Sequence, residues 1–290
     1  MRFRVSPILI LLALIAAGCA AGGRSAPETT PAGHVHFYQL DKGDEVGFSN
    51  ETDMSMTMDV PQLPIPQPIE VALSMTQRLV VDEVRDGMIT GELVNEDFTM
   101  SGMGDMLSQV GMGDLGNMRM PVSMDQQGHS EMNISFDQEG MGGGMMNMPG
   151  GLNSFFVPWP GHPVPIGATW IDSISYDQSE SPMDISGTMI TEFTYLGLEA
   201  VEGAEDAVTA HKVRAVLTGS MSGTTEAAGA DMNMSGTWSG ETDYWFDQDD
   251  GLLLSAFVSM RTSMLIEMFA PMEMVIPMDM EMKSTIRRVR

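Results

Sequence analysis

The chain has 290 residues, of which 43% are hydrophobic and 7% are aromatic, and its formal net charge is −26. So acidic a surface repels phosphate backbones and anionic lipid headgroups, which excludes nucleic acid as a partner and disfavours electrostatic docking on anionic membranes. Cys19 is the only cysteine, so no disulfide can form within the chain, whereas the 31 methionines are a marked excess.

The N-terminus has the order of an export signal. Arg2 and Arg4 precede an apolar run at residues 8–17 that is too short to span a bilayer. The sequence Ala16-Ala17-Gly18-Cys19 then resembles the lipobox of bacterial lipoproteins, in which the cysteine is acylated and becomes the first residue of the mature chain. The resemblance implies a signal peptide at residues 1–18 and a lipid anchor on Cys19. The alternative is a general secretory signal that happens to contain a cysteine.

A flexible tether is predicted at residues 19–33. After Cys19 this stretch is composed almost entirely of Ala, Gly, Ser, Pro and Thr, which cannot bury enough apolar surface to become ordered. Ala20 follows the cysteine, where Asp would resemble an inner-membrane retention signal. We therefore expect an exported protein, held by lipid in the cell envelope at the outer membrane and facing the periplasm.

The remainder of the chain alternates apolar and polar residues, which is the periodicity of half-buried strands. Met54, Met56 and Met58 share one parity with Val46 and Phe48, while acidic residues occupy the other parity. Long helical periodicity is almost absent. The sequence predicts an all-β protein of long antiparallel strands in curved sheets, half-barrel or sandwich-like, with few short helices.

Two β-units are predicted, at residues 34–138 and 161–290, with a Gly/Met/Pro-rich connector at residues 139–160 between them. Turn residues recur in the same order in both units: 42–46 corresponds to 165–170, 84–87 to 200–203, and 125–128 to 247–251. These matches suggest that the units are related. The alternative is that any antiparallel meander has turns of this composition.

The second unit contains the clearest strand pairs. A long hairpin is predicted around Asp249-Asp250-Gly251, and the side chains expected on its buried face are Met232, Met234, Trp238, Tyr244, Phe246, Leu252, Leu254, Val258, Met260, Met264, Ile266 and Met268. The last strand alternates from Met272 to Met282, and Pro277 on its polar parity predicts an edge position or a bulge.

The Gly43-Asp44 step, residues 163–170 and the hairpin from Phe246 to Leu252 together resemble a bacterial envelope lipoprotein domain of uncharacterised function. The resemblance spans residues 33–290 and transfers no catalytic residue. It implies a curved antiparallel sheet, with distant similarity to periplasmic lipoprotein carriers whose half-barrel holds acyl chains.

The methionines have two physical explanations. Met is a pliable apolar filler, which predicts a hydrophobic groove or core; its residues are Met54, Met56, Met58, Met260, Met264, Met274, Met278 and Met280. Thioethers are also soft ligands for Cu(I), and the glycine-rich segment with Met141, Met145, Met146 and Met148 is the better metal candidate, followed by the loop with Met103, Met106 and Met112. A third use of exposed Met is reversible reaction with oxidants.

No catalytic motif is present, and we expect no enzyme activity and no cofactor. His34 and His36 lack a companion at metal-ligand spacing, and Asp247–Gly251 is better explained as a turn than as a calcium loop. The leading expectation is a non-enzymatic envelope lipoprotein that binds a lipid or other hydrophobic molecule in a Met-rich groove. The alternatives are Cu(I) or Ag(I) binding and a structural or partner-binding role with an unknown protein partner.

Overall fold

The structure is a computed structural model that describes residues 33–59, 68–102, 119–130, 155–180, 183–201, 208–227, 230–269 and 273–289. Several sequence predictions lie outside these ranges: the signal peptide, the lipid site Cys19, the tether, most of the connector, and the two candidate copper segments containing Met103, Met106 and Met112 or Met141, Met145, Met146 and Met148. Within the described ranges every regular element is a β-strand. The predicted all-β class is confirmed.

The described residues form ten strands. They are β1 (Glu45–Met58), β2 (Ile69–Arg85), β3 (Met88–Ser101), β4 (Arg119–Asp125), β5 (Thr169–Glu180), β6 (Met183–Ala200), β7 (Thr209–Ala227), β8 (Ala230–Phe246), β9 (Leu253–Met268) and β10 (Met274–Val289).

All ten strands belong to one antiparallel sheet in the order β4-β3-β2-β1-β10-β9-β8-β7-β6-β5. The first strand pairs with the last, so the predicted units at residues 34–138 and 161–290 join side by side at β1 and β10. The sheet is open, because β4 and β5 are its two edges and do not pair with each other. The part of the chain that the structure describes therefore forms a single sheet rather than the two stacked sheets of a sandwich.

The same alternation runs through the sheet and defines two faces. In β1, Val46 and Phe48 are buried whereas Glu45 and Glu51 are exposed, as period-2 side-chain alternation requires. The apolar parity of each neighbouring strand matches that of β1 in the pairing register. We call the face that carries these apolar side chains the inner face, and the opposite one the outer face.

Two irregular segments, residues 34–40 and 155–164, pack on one end of the inner face and are called the plug segments below. They bind each other through an antiparallel bridge between His34 and Val164. The Tyr38 hydroxyl accepts a hydrogen bond from the Val157 N–H at 2.7 Å and donates one to the Val157 carbonyl at 3.1 Å. Tyr38 and Trp159 are fully buried, so the plug segments form the centre of the main core.

The sheet curves around the plug segments. Leu93 of β3 and Phe193 of β6 lie in one core cluster with the plug segments, although a flat sheet would separate these strands by about 34 Å. The two edges approach the same segment: the Trp159 N–H donates to the Gln127 carbonyl just after β4, and Trp170 Nε1 of β5 donates to the Pro158 carbonyl. The predicted curvature is thus confirmed, and residues 155–160 bridge the two edges at this end.

One glycine is required where a plug segment meets the sheet. Gly128 has φ +88°, and a Cβ there would lie 2.5 Å from the Tyr38 ring and 2.6 Å from the Val157 carbonyl oxygen. Only glycine combines this backbone conformation with so close an approach. The turn after β4 therefore fixes the depth at which both plug segments sit.

Two local predictions are wrong. Pro277 lies in the central strand β10, not at an edge or a bulge; it lies one residue beyond the end of the pairing between β10 and β1, where no ladder donor is needed. Leu254 is not on the buried face, because a register shift opposite Trp245 and Phe246 places Leu253 in the core instead. Among the described residues, no helix has the length and apolarity of a membrane span.

Candidate functional site

The eight methionines predicted to line a groove or core lie on the inner face of three adjacent strands. The pairing of β1 with β10 sets three methionine pairs directly opposite each other: Met54 with Met282, Met56 with Met280, and Met58 with Met278. The pairing of β10 with β9 continues these rows, with Met278 opposite Met264 and Met282 opposite Met260. Side chains opposite each other in an antiparallel pair have Cβ atoms about 4.5–5.5 Å apart, so the thioethers form a continuous layer.

Burial differs between the two ends of the inner face. Beneath the plug segments, large side chains such as Leu79 and Leu253 are completely buried. In the methionine layer, Met278 is 4% exposed and Met280 is 8% exposed, but Met54, Met58, Met264 and Met274 are only half-buried. The plug segments therefore fill one end of the curved sheet, and the other end presents apolar side chains that are partly accessible to solvent.

The methionine layer extends further than the sequence prediction. Met189 of β6, Trp238 of β8 and Met260 of β9 form a second buried cluster, against which Met221 and Met282 pack. Sequence reasoning missed Met189 and Met221 as site residues. On the inner parity, Met189 is flanked by Gly187 and Thr191 and Met221 by Gly219 and Gly223, so the local apolar alternation is weak at both methionines. We call the inner-face methionines of β1, β6, β7, β9 and β10, together with Trp238, the Met-rich face.

A group of hydrogen-bonded polar side chains lies between the plugged end and the Met-rich face. Asn50 Oδ1 accepts hydrogen bonds from Ser284 Oγ at 2.6 Å and from Thr52 Oγ1 at 3.1 Å. On the next strands, Gln77 Nε2 donates to Asn95 Oδ1 at 2.8 Å, and both side chains are buried. Because these groups are hydrogen-bonded to each other, they tolerate burial. They form a polar row between the plugged end and the Met-rich face.

Acidic residues predominate at the end of the sheet where the Met-rich face meets solvent. Within the ranges that the structure describes, the strand termini at this end carry no Lys or Arg apart from Arg119 at the start of the edge strand β4, which forms an ion pair with Glu92. Their acidic residues are Asp59, Glu70, Asp97, Asp177, Asp184, Asp231, Glu267 and Glu273. A ligand reaching the Met-rich face from this end therefore approaches through negative potential, which opposes anions.

The plugged end holds three histidines in aromatic packing. His36 is buried, its Nε2 lies 2.9 Å from the Gly251 carbonyl oxygen, and its ring stacks on Trp159 with centroids 4.3 Å apart. Burial lowers the pKa of His36 to about 3 and that of His211 to about 4, with a further contribution from the neighbouring His34. Across the described ranges, no group of three or more His, Cys, Asp or Glu side chains could hold a metal ion. The histidines are neutral structural groups at pH 7.

A pocket of about 660 Å³ lies on the other side of the sheet and is lined chiefly by outer-face residues, among them Glu45, Arg78 and Arg287. Its charges are largely paired: Arg78 lies 2.7 Å from a carboxylate oxygen of Glu45 and 2.7 Å from one of Glu96. Such exposed ion pairs contribute little to stability. Because the pocket carries charged side chains and faces solvent, the Met-rich face is the stronger candidate for an apolar ligand.

The Asp247–Gly251 segment forms the predicted turn between β8 and β9. Asp247 Oδ1 accepts a hydrogen bond from the Asp249 N–H, and Asp250 Oδ1 accepts one from the Leu252 N–H. The carboxylates are thus used to close the turn, as Asp side chains commonly do.

No family model matches the chain, and no curated protein matches it. Among solved structures it is similar to OccK2 (OpdF) of Pseudomonas aeruginosa, at 6% identity and a TM-score of 0.29, over 85% of this chain and 98% of that one. A mutant porin of Rh. blastica matches at 8% identity and a TM-score of 0.25, over 85% and 100% of the two chains. An outer membrane channel from Pseudomonas putida F1 matches at 8% identity and a TM-score of 0.22, over 87% and 98%. TM-scores this low do not establish a shared fold, and nothing about function is transferred from these proteins.

Proposed function

We propose that this chain is a non-enzymatic, lipid-anchored protein of the cell envelope that binds a lipid or another flexible hydrophobic molecule on the Met-rich face. The observation that carries the proposal is the contrast between the two ends of the inner face. One end is filled by the plug segments, and the other presents half-buried thioethers in register on adjacent strands. The anchor and the envelope location rest on the lipobox resemblance at Cys19.

Methionine suits such a face for a physical reason. Its unbranched side chain has three rotatable bonds and a polarisable sulfur, so it repacks around irregular apolar partners at little cost. Leu or Ile would fill a fixed core better, because their rotamers are better defined. The concentration of Met at the half-buried end, with Phe, Trp and Leu at the plugged end, favours a ligand surface over a static core.

The size of the ligand follows from the energetics. Each buried methylene contributes about 0.8 kcal/mol, so about ten methylenes contribute about 8 kcal/mol. Association costs at least about 4 kcal/mol in lost translational and rotational freedom, before the chain itself is ordered. Micromolar affinity corresponds to about 8 kcal/mol and therefore requires a chain of about fifteen carbons, which is the size of a lipid acyl chain rather than of a small metabolite.

A pair of variants tests the proposal. Met58→Lys places a charge among the half-buried side chains of the Met-rich face, whereas Thr57→Lys places the same charge on the exposed outer face one residue away. We expect Met58→Lys to weaken binding of a fluorescent long-chain acyl probe at least tenfold, and Thr57→Lys to leave it unchanged. Equal binding by both variants, with far-UV circular dichroism showing intact sheet, would count against the Met-rich face as the binding surface.

A further inference from the structure

Three large hydrophobic side chains are exposed close together at the plugged end of the sheet. They are Ile166, Leu196 and Leu198, which are 73%, 39% and 54% exposed, and Ile166 is the most exposed large hydrophobic residue in the described ranges. Single hydrophobic side chains are normal on a protein surface, whereas a group of them marks a contact surface. We call these three residues the apolar patch.

The turn that carries Ile166 is held in place by backbone hydrogen bonds. The Ala168 N–H donates to the Pro165 carbonyl at 3.0 Å, and the Gly167 N–H donates to the Tyr195 carbonyl of β6 at 2.7 Å. Gly167 has φ +85°, a conformation that favours glycine. Tight turns usually carry polar residues, Gly or Pro. A large aliphatic side chain held in solvent on such a turn is therefore a feature of a contact surface.

Ile166 lies against β6 beside the two leucines. A Cβ built on Gly197 would lie 2.9 Å from Ile166 Cδ1, so the isoleucine side chain lies over this glycine. Leu196 and Leu198 flank Gly197 in the strand. The register of β6 with β7 shifts between Tyr195 and Gly197, which marks a bulge at Leu196. The apolar patch is thus a small continuous area at the end of β6.

The compact unit of the chain begins beside the apolar patch. Its first residue is His34, whose ring stacks on His211 with centroids 3.6 Å apart. His211 is directly opposite Leu198 in the pairing of β6 with β7. The His34 N–H also donates to the Val164 carbonyl at 3.0 Å, in the segment that leads into the Ile166 turn. The residues that precede His34 therefore join the compact unit next to the apolar patch.

The number of preceding residues limits how an anchored chain can sit on a membrane. Residues 20–33 separate Cys19 from His34, and these fourteen residues span at most about 50 Å when fully extended. β7 has 19 residues, which at about 3.3 Å per residue gives a length of about 60 Å. A lipid on Cys19 therefore keeps the plugged end within reach of the membrane, whereas the open end cannot rest on that membrane with the strands upright.

We propose that the apolar patch contacts the interface of the membrane that holds the lipid of Cys19, so that the plugged end faces this membrane and the Met-rich face opens away from it. This inference rests on the anchor in the proposed function. The partner is a zwitterionic lipid surface, because a net charge of −26 repels anionic headgroups. A few aliphatic side chains bind lipid weakly, so the apolar patch orients a protein that its acyl chains already hold.

The test measures which end of the acylated protein touches lipid. Cys19 is the only cysteine and has no free thiol once acylated, so Ile166→Cys or Phe269→Cys introduces the only site for a thiol-reactive fluorophore. Phe269 is the matched control, because it is a large hydrophobic residue that is 49% exposed at the open end. The labelled protein is reconstituted in phosphatidylcholine vesicles that contain a spin-labelled quencher lipid. We expect fluorescence to be lost at position 166 and retained at position 269.

A second label site leaves the apolar patch intact. His162→Cys places the fluorophore on an exposed residue close to the patch. Adding Ile166→Gln and Leu198→Gln then replaces two of the three aliphatic side chains by amides, which lose free energy when they are removed from water. We expect weaker quenching at position 162 in the presence of these two substitutions. Both substituted residues are exposed, so far-UV circular dichroism should show intact sheet.

The outcomes separate the orientation from the anchor. Equal quenching at positions 166 and 269, or stronger quenching at 269, would overturn the proposed orientation. Acylated, vesicle-bound protein without quenching at 166 would refute the contact and leave the anchor standing. A mass that shows no acyl chains on Cys19 would refute the anchor and the inference with it. A blue shift at 166 that appears without vesicles and grows with protein concentration would assign the apolar patch to a second copy of the chain, against the proposal.

Discussion

His34 of the first plug segment and His211 of β7 stack face to face, with ring centroids 3.6 Å apart and planes inclined by 22°. The Tyr195 hydroxyl lies 2.7 Å from His211 Nδ1, and His34 Nε2 lies 3.4 Å from His36 Nδ1. Neutral rings stack and share hydrogen bonds without cost, whereas protonated rings would repel each other and lose solvation. The attachment of the plug segments to the sheet therefore depends on keeping these imidazoles uncharged.

Stability is predicted to fall in mild acid. The pKa of His36 is lowered from 6.5 to about 3 and that of His211 to about 4, and that of His34 is also lowered. Since the unfolded chain binds protons first, this stabilisation is fully present above pH 6.5 and is lost as the pH falls from 6.5 toward 4 and 3. Each histidine adds a slope of at most about 1.4 kcal/mol per pH unit to the free energy of unfolding.

Comparison between variants isolates this effect from the titration of the many carboxylates. Urea unfolding at pH 7 and pH 5 should show a smaller loss of stability for His211→Asn than for wild type, because one proton-linked group is gone. An unchanged pH dependence in His211→Asn would show that the histidine cluster does not titrate with folding.

Tyr38→Phe is predicted to destabilise the protein by about 1–3 kcal/mol. The substitution leaves both the N–H and the carbonyl of Val157 without their partner at a fully buried position. Tyr195→Phe removes only the bond to His211, so its cost should be smaller. Urea denaturation with an unchanged m-value measures both. A Tyr38→Phe protein as stable as wild type would mean that the plug segments do not anchor the core.

How much of this could be read from the sequence depends on the kind of interaction. Alternation predicted the strands and placed Met54, Met56 and Met58 on the buried face, because side-chain direction in a strand is a local property. Pairing between β1 and β10 joins residues more than two hundred positions apart, and no local pattern encodes it. The direct pairing of Met58 with Met278 across β1 and β10 could therefore not be predicted from the sequence.

The packing of the plug segments was even harder to predict from the sequence. The sequence predicts residues 155–160 to be part of the connector, although Phe155, Val157 and Trp159 pack in the main core. Irregular segments have no period, so the only sequence signal was their apolar composition. His34 and His36 were considered as metal ligands; their actual neighbours, His211 and Trp159, come from distant parts of the chain. The relation between the two β-units remains a prediction.

Gly219→Ala is predicted to displace Trp238. A Cβ at this position would lie 2.2 Å from the indole nitrogen, so the ring must move out of its cluster with Met189 and Met260. We expect a loss of about 1–3 kcal/mol in stability, as for other overpacked positions, together with a changed tryptophan emission spectrum. Gly161→Ala is the control, because a Cβ there contacts nothing within 4 Å. Identical behaviour of the two variants would contradict the packing described around Trp238.

Methionines at the open end of the sheet should be oxidised faster than methionines buried at the plugged end. Brief treatment with peroxide is predicted to oxidise the half-buried Met54, Met58 and Met264 well before Met124, which is completely buried under the plug segments. A bound acyl ester should protect the three residues on the Met-rich face. It should leave Met88 unprotected, since that side chain is 36% exposed at the opposite end of the sheet. Peptide mass spectrometry gives each rate, and equal protection at Met88 would indicate non-specific shielding.

The most direct test of a hydrophobic ligand on the Met-rich face is a native mass spectrum of residues 20–290, purified without detergent and recorded before and after organic extraction. We expect a bound mass of lipid size that extraction removes and that Met58→Lys abolishes. A bare chain in every preparation, which also fails to take up added acyl esters, would contradict it. Discrete copper increments after addition of Cu(I), lost when Met145, Met146 and Met148 are replaced by Leu, would instead support the metal-binding alternative.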